Sequence, residues 1–234
     1  MTSRDGLKYP HKMTSPTQSA ESARYALLRR LAPSMRHHLV VNLQPIGMIY
    51  EVMERRLRAD QPDLHEVHES AQKINGFARA ALDACLNVVT WIAPEEGTTV
   101  AAADGVRECM SLLATSLTFR GFALRNEADD AHGEVRRSAI RTVLTAALLY
   151  TSDEMPPPAE IVLSAQADGR TLVLTLSAKP HAGEQGFMPE PPYRKLGWAD
   201  VQALAASESV EVTRDGPQRM QVRLPLAASA SAKT

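Results

Sequence analysis

Two adjacent histidines and a nearby asparagine are the residues of this sequence best suited to do chemistry. His37 and His38 stand side by side, and Asn42 follows shortly after them. A neutral imidazole is a nucleophile with a pKa near physiological pH, so an exposed histidine can attack an electrophilic group that a partner brings to it. An asparagine amide can orient a water molecule for hydrolysis. The simpler interpretation is that the two histidines are ordinary surface residues of a helix.

The element that positions them is a long amphipathic helix predicted over 23–57. Its apolar stripe consists of Leu27, Leu28, Leu31, Met35, Leu39, Leu43, Ile46, Ile49, Met53 and Leu57. Such a helix is about 50 Å long and needs partners to cover its stripe. Pro33 and Pro45 predict a kink or a break at either position. His37 is about 200° from the stripe positions on either side, so it is predicted to face solvent, whereas His38 is nearer the flank.

A second long helix is predicted after a break at 58–62. Asp63 can cap it, with Glu66 placed as in a capping box. Its stripe consists of Leu64, Val67, Ala71, Ile74, Ala78, Ala81, Cys85 and Val88. Two long helices joined by a short turn form an antiparallel hairpin, and two hairpins complete a four-helix bundle. A homodimer is therefore expected to cover both stripes.

The composition changes at 92–97, where Pro and Gly mark a domain boundary. Helices are then predicted over 106–117, 135–149 and 198–206, and strands over 122–126, 161–165, 171–177, 210–213 and 220–224. Turns are predicted at Asp168-Gly169 and Asp215-Gly216. This order predicts an α+β sandwich of one sheet with helices on one face. The expected organisation is a disordered tail over 1–20, the hairpin over 21–92, the sandwich over 97–226 and a disordered tail over 227–234.

Composition narrows the function classes. The chain of 234 residues has a formal net charge of −1 and is 44% hydrophobic. These values do not suggest a nucleic-acid binder or a polybasic membrane anchor. No apolar run approaches the roughly 18 residues that span a bilayer. Cys85 and Cys109 lie on predicted helices without metal-ligand spacing, so both are expected to be buried free thiols in a reducing cytoplasm.

Segment 35–46, MRHHLVVNLQPI, resembles the phosphoacceptor box of the dimerisation domain of sensor histidine kinases, one variant of which is H-R-V-K-N-N-L-Q-V-I. Aligned without a gap, His37 takes the place of the phosphoacceptor. The positions that match in register are Asn42, Leu43, Gln44 and Ile46. A register counted from His38 also occurs in the family, so His38 stays the second candidate. His38 also occupies the place of the acidic residue that usually serves as general base.

The second half resembles the ATP-binding domain of the same kinases. Segment 141–151, RTVLTAALLYT, resembles the N-box, commonly N-L-L-x-N-A-x-K-Y-T, and segment 220–226, MQVRLPL, resembles the closing strand. The resemblance covers about residues 23–226. However, Ala146 stands where the box has the asparagine that holds Mg²⁺, and Leu149 replaces the lysine.

Two further nucleotide motifs are also degraded. The strand runs into 177–180, SAKP, without the aspartate of Asp-x-Gly-x-Gly that reads the adenine amino group. The glycine-rich phosphate motif is reduced to Gly197, followed by the bulky Trp198. With three ATP contacts missing, the resemblance implies a kinase-like fold without ATP binding or autokinase activity. No cofactor of its own is expected.

The resemblance implies a histidine phosphotransferase of a two-component phosphorelay, similar to the dimeric transferases with a degenerate ATP-binding domain. Such a protein passes a phosphoryl group to or from receiver-domain aspartates, here through His37, and the receiver supplies Mg²⁺. The expected partners are a response regulator receiver domain, a second copy of the chain and a hybrid histidine kinase. The alternative is a non-catalytic scaffold or inhibitor that docks on a response regulator or a kinase.

Overall fold

The computed structural model describes residues 15–183, 186–187 and 193–228. Two long antiparallel helices lead into a domain of sheet and helices. The helices are α1 (Pro16–Leu57), α2 (Leu64–Ile92), α3 (Ala102–Phe119), α4 (Arg137–Glu154) and α5 (Trp198–Ser207). The strands are β1 (Thr99–Ala101), β2 (Phe122–Glu127), β3 (Glu134–Arg136), β4 (Ala159–Asp168), β5 (Thr171–Pro180), β6 (Glu211–Asp215) and β7 (Arg219–Pro225).

Helix α1 starts earlier than predicted and is not interrupted. Ser15 caps it in a capping box with Gln18, so residues 16–20 of the expected tail are helical. Most of that tail, residues 1–14, lies outside the described residues. The helix also continues through Pro33 and Pro45. Packing against α5 and α2 offsets the hydrogen bonds that the two prolines cannot donate.

The turn between α1 and α2 is held by one cap and one ion pair. Asp63 accepts hydrogen bonds from the backbone N–H groups of His65 and Glu66, which confirms the predicted cap. The carboxylate of Glu66 pairs with Arg56 of α1, with 3.0 Å between Arg56 Nε and Glu66 Oε2. This pair joins the two helices beside the turn.

The second domain is built on a five-stranded sheet in the order β2-β4-β5-β7-β6. β2 runs parallel to β4, and the other neighbours are antiparallel. Gly169 and Gly216 adopt positive φ in the two hairpin turns, a conformation that glycine reaches without strain. Both predicted turns are confirmed. A small antiparallel pair, β1 and β3, was not predicted because strands of three residues are too short to show an alternating pattern.

The helices of this domain lie on one face of the sheet, as predicted. Alternate strand side chains point towards them and are buried, among them Leu163, Leu174 and Val222. Helix α4 has more buried residues than any other described helix, because it lies between the sheet, α3, α5 and α1.

Helix α1 packs against the second domain along its first half and against α2 along its second half. Leu27, Leu31 and Met35 are buried in the same hydrophobic core as Leu149 of α4 and Val201 of α5. Beyond Met35 the stripe packs against α2 or stays exposed. The first half of α1 therefore belongs to the second domain, whereas the sequence pattern assigned the whole stripe to the bundle.

The two cysteines differ in environment. Cys109 is buried in the core, where burial raises the pKa of its thiol far above the ordinary value. Cys85 is exposed, so the prediction that both thiols are buried is wrong for this residue. It lies at the edge of the α2 stripe, on the side that α1 does not cover. No helix in the described part of the chain is both long and apolar enough to cross a membrane.

Candidate phosphoacceptor site

His37 lies where α1 emerges from the second domain. Arg30 and Ser34, which precede it by about two turns and one turn on nearly the same face, are buried. His37 is exposed, as is Val41 one turn further on. Pro33, one turn before His37 on the same face, is exposed as well, so His37 lies at the border between the covered and the accessible surface of α1. The predicted exposure of this imidazole agrees with the structure.

His38 is half-buried and lies towards α2. The two imidazole rings are 6.3 Å apart and almost perpendicular. Neither ring makes a hydrogen bond to another described residue, so no partner fixes a tautomer. An accessible, unbonded imidazole keeps its nitrogen lone pair available to a docking protein.

Asn42 is grouped with His38 rather than with His37. Its Nδ2 donates a hydrogen bond of 2.9 Å to the backbone carbonyl of His38. Positions four apart lie on one helix face, whereas His37 is about 140° away from Asn42 around the axis. One of the two amide N–H donors is therefore used within α1, and the second N–H and the amide oxygen are not hydrogen-bonded to another described residue. The proposed role in orienting water near His37 receives no support from this placement.

The α4 face expected to meet a nucleotide is covered by α1. This face contains Thr142, Ala146, Leu149 and Asp153. Leu27 and Leu31 of α1 border a small cavity together with Thr142. Further along the face, Arg30 donates two hydrogen bonds to the Asp153 carboxylate, at 2.7 and 2.9 Å. Both side chains are less than 5% exposed.

Arg120 completes this buried ion cluster. It lies at the end of α3 and donates to Asp153 Oδ1 at 2.9 Å and to the Ser152 carbonyl at 3.0 Å. One carboxylate therefore satisfies two guanidinium groups, one from α1 and one from the second domain. Since buried charges are tolerated only when paired and hydrogen-bonded, the cluster ties the first half of α1 to α4.

The remaining nucleotide-motif positions also have structural roles. Strand β5 extends past its predicted end, and Ala178 is buried in the segment where the resemblance calls for the aspartate of Asp-x-Gly-x-Gly. Asp200 accepts from the Gly197 N–H and from Arg194 at the start of α5. Burial alone would raise the pKa of Asp200, but the hydrogen bonds from Arg194 and Gly197 hold it below its ordinary value.

Trp198 occupies the space after the single remaining glycine. Its ring lies 5.8 Å from that of Tyr150, and the Arg214 guanidinium lies over it at 4.8 Å. The aromatic pair and the Arg214 guanidinium fill this corner with side chains. Among the described residues, no cluster of three His, Cys, Asp or Glu side chains could hold a metal ion.

The sequence interpretation missed Arg30, Asp153 and Arg141. Arg30 carried one signal: it is a charged residue between Leu27 and Leu31, inside an apolar stripe. Arg141 is 4% exposed and binds Glu108, Thr90 and Asn87, which joins α4 to α3 and to the end of α2. Its partners are distant in the sequence, so no local pattern could identify them.

Among the comparisons with known proteins, only the comparison with solved structures finds proteins that are similar to this chain. No protein-family model matches the chain, and no curated protein matches it.

Three similar solved structures illustrate that likeness. A histidine kinase from Burkholderia phymatum STM815 is 17% identical, with 91% of this chain and 98% of that chain covered and a TM-score of 0.42. A bacterial phosphotransferase is 13% identical, with 85% and 95% covered and a TM-score of 0.40. The histidine kinase ThkA in complex with the response regulator protein TrrA is 14% identical, with 95% and 68% covered and a TM-score of 0.41. These names describe the compared proteins, whereas the function of this chain is inferred from its own residues.

Proposed function

We propose that this protein is a histidine phosphotransferase of a two-component phosphorelay, in which His37 carries the phosphoryl group between receiver-domain aspartates. The observation that carries the proposal is the exposed imidazole of His37, which makes no hydrogen bond to another described residue and lies where α1 leaves the second domain. A receiver domain can approach this imidazole from solvent. His38 is the second candidate, because it is half-buried and faces α2.

The transfer step needs no nucleotide. An imidazole nitrogen attacks the phosphorus of an aspartyl phosphate, and a nitrogen–phosphorus bond forms while the phosphorus–oxygen bond to the aspartate breaks. The aspartate leaves as a carboxylate with the electron pair of that bond. The receiver's Mg²⁺ neutralises the developing charge. The reverse step then passes the phosphoryl group to the aspartate of a second receiver. In this proposal, one of the two receivers can be a domain of a hybrid histidine kinase.

Loss of ATP binding follows in this proposal from two features. Ala146 and Leu149 offer no ligand atoms for Mg²⁺ or phosphate, and α1 covers their face of α4.

Titration with a fluorescent ATP analogue and Mg²⁺ is expected to give no saturable signal that unlabelled ATP displaces. Displaceable, saturable binding would contradict this part of the proposal.

The partner that completes the helical hairpin is proposed to be a second copy of this chain. Exposed apolar residues continue along both helices. One set consists of Leu43, Tyr50 and Leu57 on α1 and of Leu64, Leu82, Leu86 and Val89 on α2, and α1 has a further exposed set on its other side, Val41, Met48 and Val52. Each helix can be viewed along its own axis from its N-terminus. On both helices the first set is then rotated in the same direction from the residues that face the other helix. Because the helices are antiparallel, the members of this set on both helices lie on one side of the hairpin, where a second hairpin would complete a four-helix bundle.

A charge placed in this surface is expected to separate the dimer. Leu43→Asp should shift the protein from dimer to monomer by light scattering after size-exclusion chromatography, because the interface would bury an unpaired carboxylate. Val41→Asp is the matched control: Val41 is 44% exposed against 50% for Leu43 but lies on another face of α1. A monomeric wild type, or equal behaviour of the two variants, would contradict the dimer.

The alternative function is a scaffold or inhibitor that docks on a response regulator or a kinase without chemistry. One observation favours it: His37 is followed by His38 and not by the acidic residue that usually serves as general base beside a phosphoacceptor. Transfer assays on His37 and His38 variants separate the two functions.

A further inference from the structure

We infer that Arg30 is a positioning residue for the transfer. Its ion pair with Asp153 holds the surface of the second domain beside His37, so that a receiver domain binds to the hairpin and to the second domain at once. The inference rests on the proposed function, because it concerns the partner that brings the phosphoryl group to His37. It adds a second contact surface for that partner and the residue that keeps the two surfaces in register.

The footprint of a docking protein is larger than the accessible part of α1 around His37. Even a small, transient interface covers about 500 Å² of each partner, which as a disc has a radius of roughly 13 Å. Ser34, three residues before His37, is already buried. The buried Arg30 lies only about 10 Å from His37 along the helix axis. A receiver centred on His37 therefore reaches the surface of the second domain that covers Arg30.

The second-domain surface at this point consists of the end of α4 and the segment before α5. Arg30 donates to both carboxylate oxygens of Asp153, at 2.7 and 2.9 Å, and its Nη1 lies 3.5 Å from the Arg194 carbonyl oxygen. Lys195 is exposed, and its Nζ lies 3.4 Å from the backbone carbonyl oxygen of Asp153. The buried Arg30 and the exposed Lys195 thus meet at the same residue of α4.

The charges at this border favour a partner with a negative face. Arg36 and Lys195 are exposed and make no ion pair with another described residue. Glu154, the exposed carboxylate at the end of α4, also makes none and offsets one of these charges. In the buried cluster one carboxylate faces two guanidinium groups. The border therefore has an excess of positive charge, which attracts the phosphorylated aspartate face of a receiver.

Arg30 controls the register of the two surfaces because of its place in α1. Of the two described ion pairs between α1 and the second domain, the one made by Arg30 is nearer to His37. A continuous helix joins the two residues, so a fixed guanidinium also fixes the distance from the imidazole to the end of α4. Methionine at position 30 fills similar space but cannot donate to Asp153. Arg120 still pairs with Asp153 in that variant, so the fold is kept while the register is loosened.

The test compares the wild type, Arg30→Met and Arg223→Met, at a temperature at which circular dichroism shows all three to be folded. The probes are receiver domains encoded in the same genome that bind the wild type. Arg223 pairs with Asp168 and Glu211 on the sheet, away from α1, so its replacement is the matched control. We expect the Kd for the receiver to rise about five-fold or more in Arg30→Met, because the binding surface is no longer preorganised. In Arg223→Met it should stay within about two-fold of the wild-type value.

A small phosphodonor separates positioning from damage to the helix. Phosphoramidate transfers its phosphoryl group to an imidazole with loss of ammonia and needs no docking surface. His37 should react with it at the same rate in all three proteins. Equal losses of phosphoramidate reactivity and of receiver binding in Arg30→Met would indicate damage to α1 itself and would overturn the positioning role.

The remaining outcomes separate this role from the proposed function. Equal receiver affinity of Arg30→Met and the wild type would overturn the positioning role, even if His37→Ala loses transfer. Receiver binding that depends on Arg30 but leads to no transfer in the wild type would support the composite surface and overturn the transfer. Absence of receiver binding to the wild type would overturn both.

A second measurement does not depend on variants. A bound receiver should slow the chemical acetylation of Lys195 in the wild type. Acetylation of Lys179, which lies on the face of the sheet opposite the helices, should not change. An unchanged rate at Lys195 under saturating receiver would overturn the contact with the second domain.

Discussion

His37→Ala is expected to reduce phosphoryl transfer from a phosphorylated receiver to background while leaving the fold intact. The substitution removes the imidazole that is the proposed nucleophile, and alanine has no nitrogen with which to form the nitrogen–phosphorus bond. His37 is exposed and makes no side-chain hydrogen bond to a described residue, so the change in stability should be within about 0.5 kcal/mol. The measurement is the rate at which receiver domains phosphorylated with acetyl phosphate lose their phosphoryl group.

His38→Ala is the matched control for this prediction. It makes the same chemical change one position along α1, and the backbone carbonyl that accepts from Asn42 remains. Transfer should persist in this variant. Loss of transfer in His38→Ala with retention in His37→Ala would keep the function and move the phosphoacceptor by one residue. Unchanged activity in both variants would contradict transfer through either histidine and favour the scaffold.

Asp153→Ala is expected to destabilise the protein strongly. It removes the carboxylate shared by Arg30 and Arg120, whose side chains are 4% and 11% exposed. Leaving buried charges unpaired costs about 3–5 kcal/mol. In a chain of this size that loss lowers the Tm by roughly 10 °C, which calorimetry or circular dichroism can measure.

Asp168→Ala is the control for the buried cluster. Asp168 pairs with Arg223 on the solvent-accessible surface at the end of β4, so its loss should cost less than about 1 kcal/mol. Arg30→Met should be milder than Asp153→Ala, because Arg120 still pairs with Asp153. It should nevertheless expose the first half of α1 to proteolysis. Equal stability of Asp153→Ala and Asp168→Ala would contradict the docking of α1 on α4.

The regular patterns of the fold could be predicted because they are local. The long stripes, the Asp63 cap and the two glycine turns each depend on residues a few positions apart. The exposure of His37 follows from the same helical geometry. The start of α1 was placed too late because Ser15 and Pro16, although a good cap and first residue, are followed by polar residues without a stripe.

Which part of the protein covers the apolar stripe of α1 could not be predicted from local patterns. A periodic apolar face shows that a helix must be covered, but not by what. Leu27 and Leu31 are covered by the chain's own second domain. The ion pair between Arg30 and Asp153 holds the same part of α1 in place, and it joins residues that are far apart in the sequence. For the same reason the burial of Cys85 was predicted wrongly. Cys85 belongs to the predicted stripe of α2 but lies outside the part of that stripe that α1 covers.

The positions where the resemblance expects nucleotide contacts have a structural role that the sequence alone did not reveal. Ala146 stands where the resemblance expects an asparagine, and Leu149 where it expects a lysine. Both side chains are apolar and are buried in the core that also contains Leu27 and Leu31 of α1. Their apolar character is therefore consistent with the docking of α1 on the second domain.

The most direct test of the central proposal is to map the phosphoryl group on the wild-type protein. Purified protein is incubated with acetyl-phosphate-treated receiver domains, digested at neutral pH to preserve phosphohistidine, and analysed by mass spectrometry. The proposal predicts one phosphorylated site, at His37, with no label when the receiver's aspartate is replaced. A protein that binds these receivers but carries no phosphohistidine would contradict it and identify a docking module.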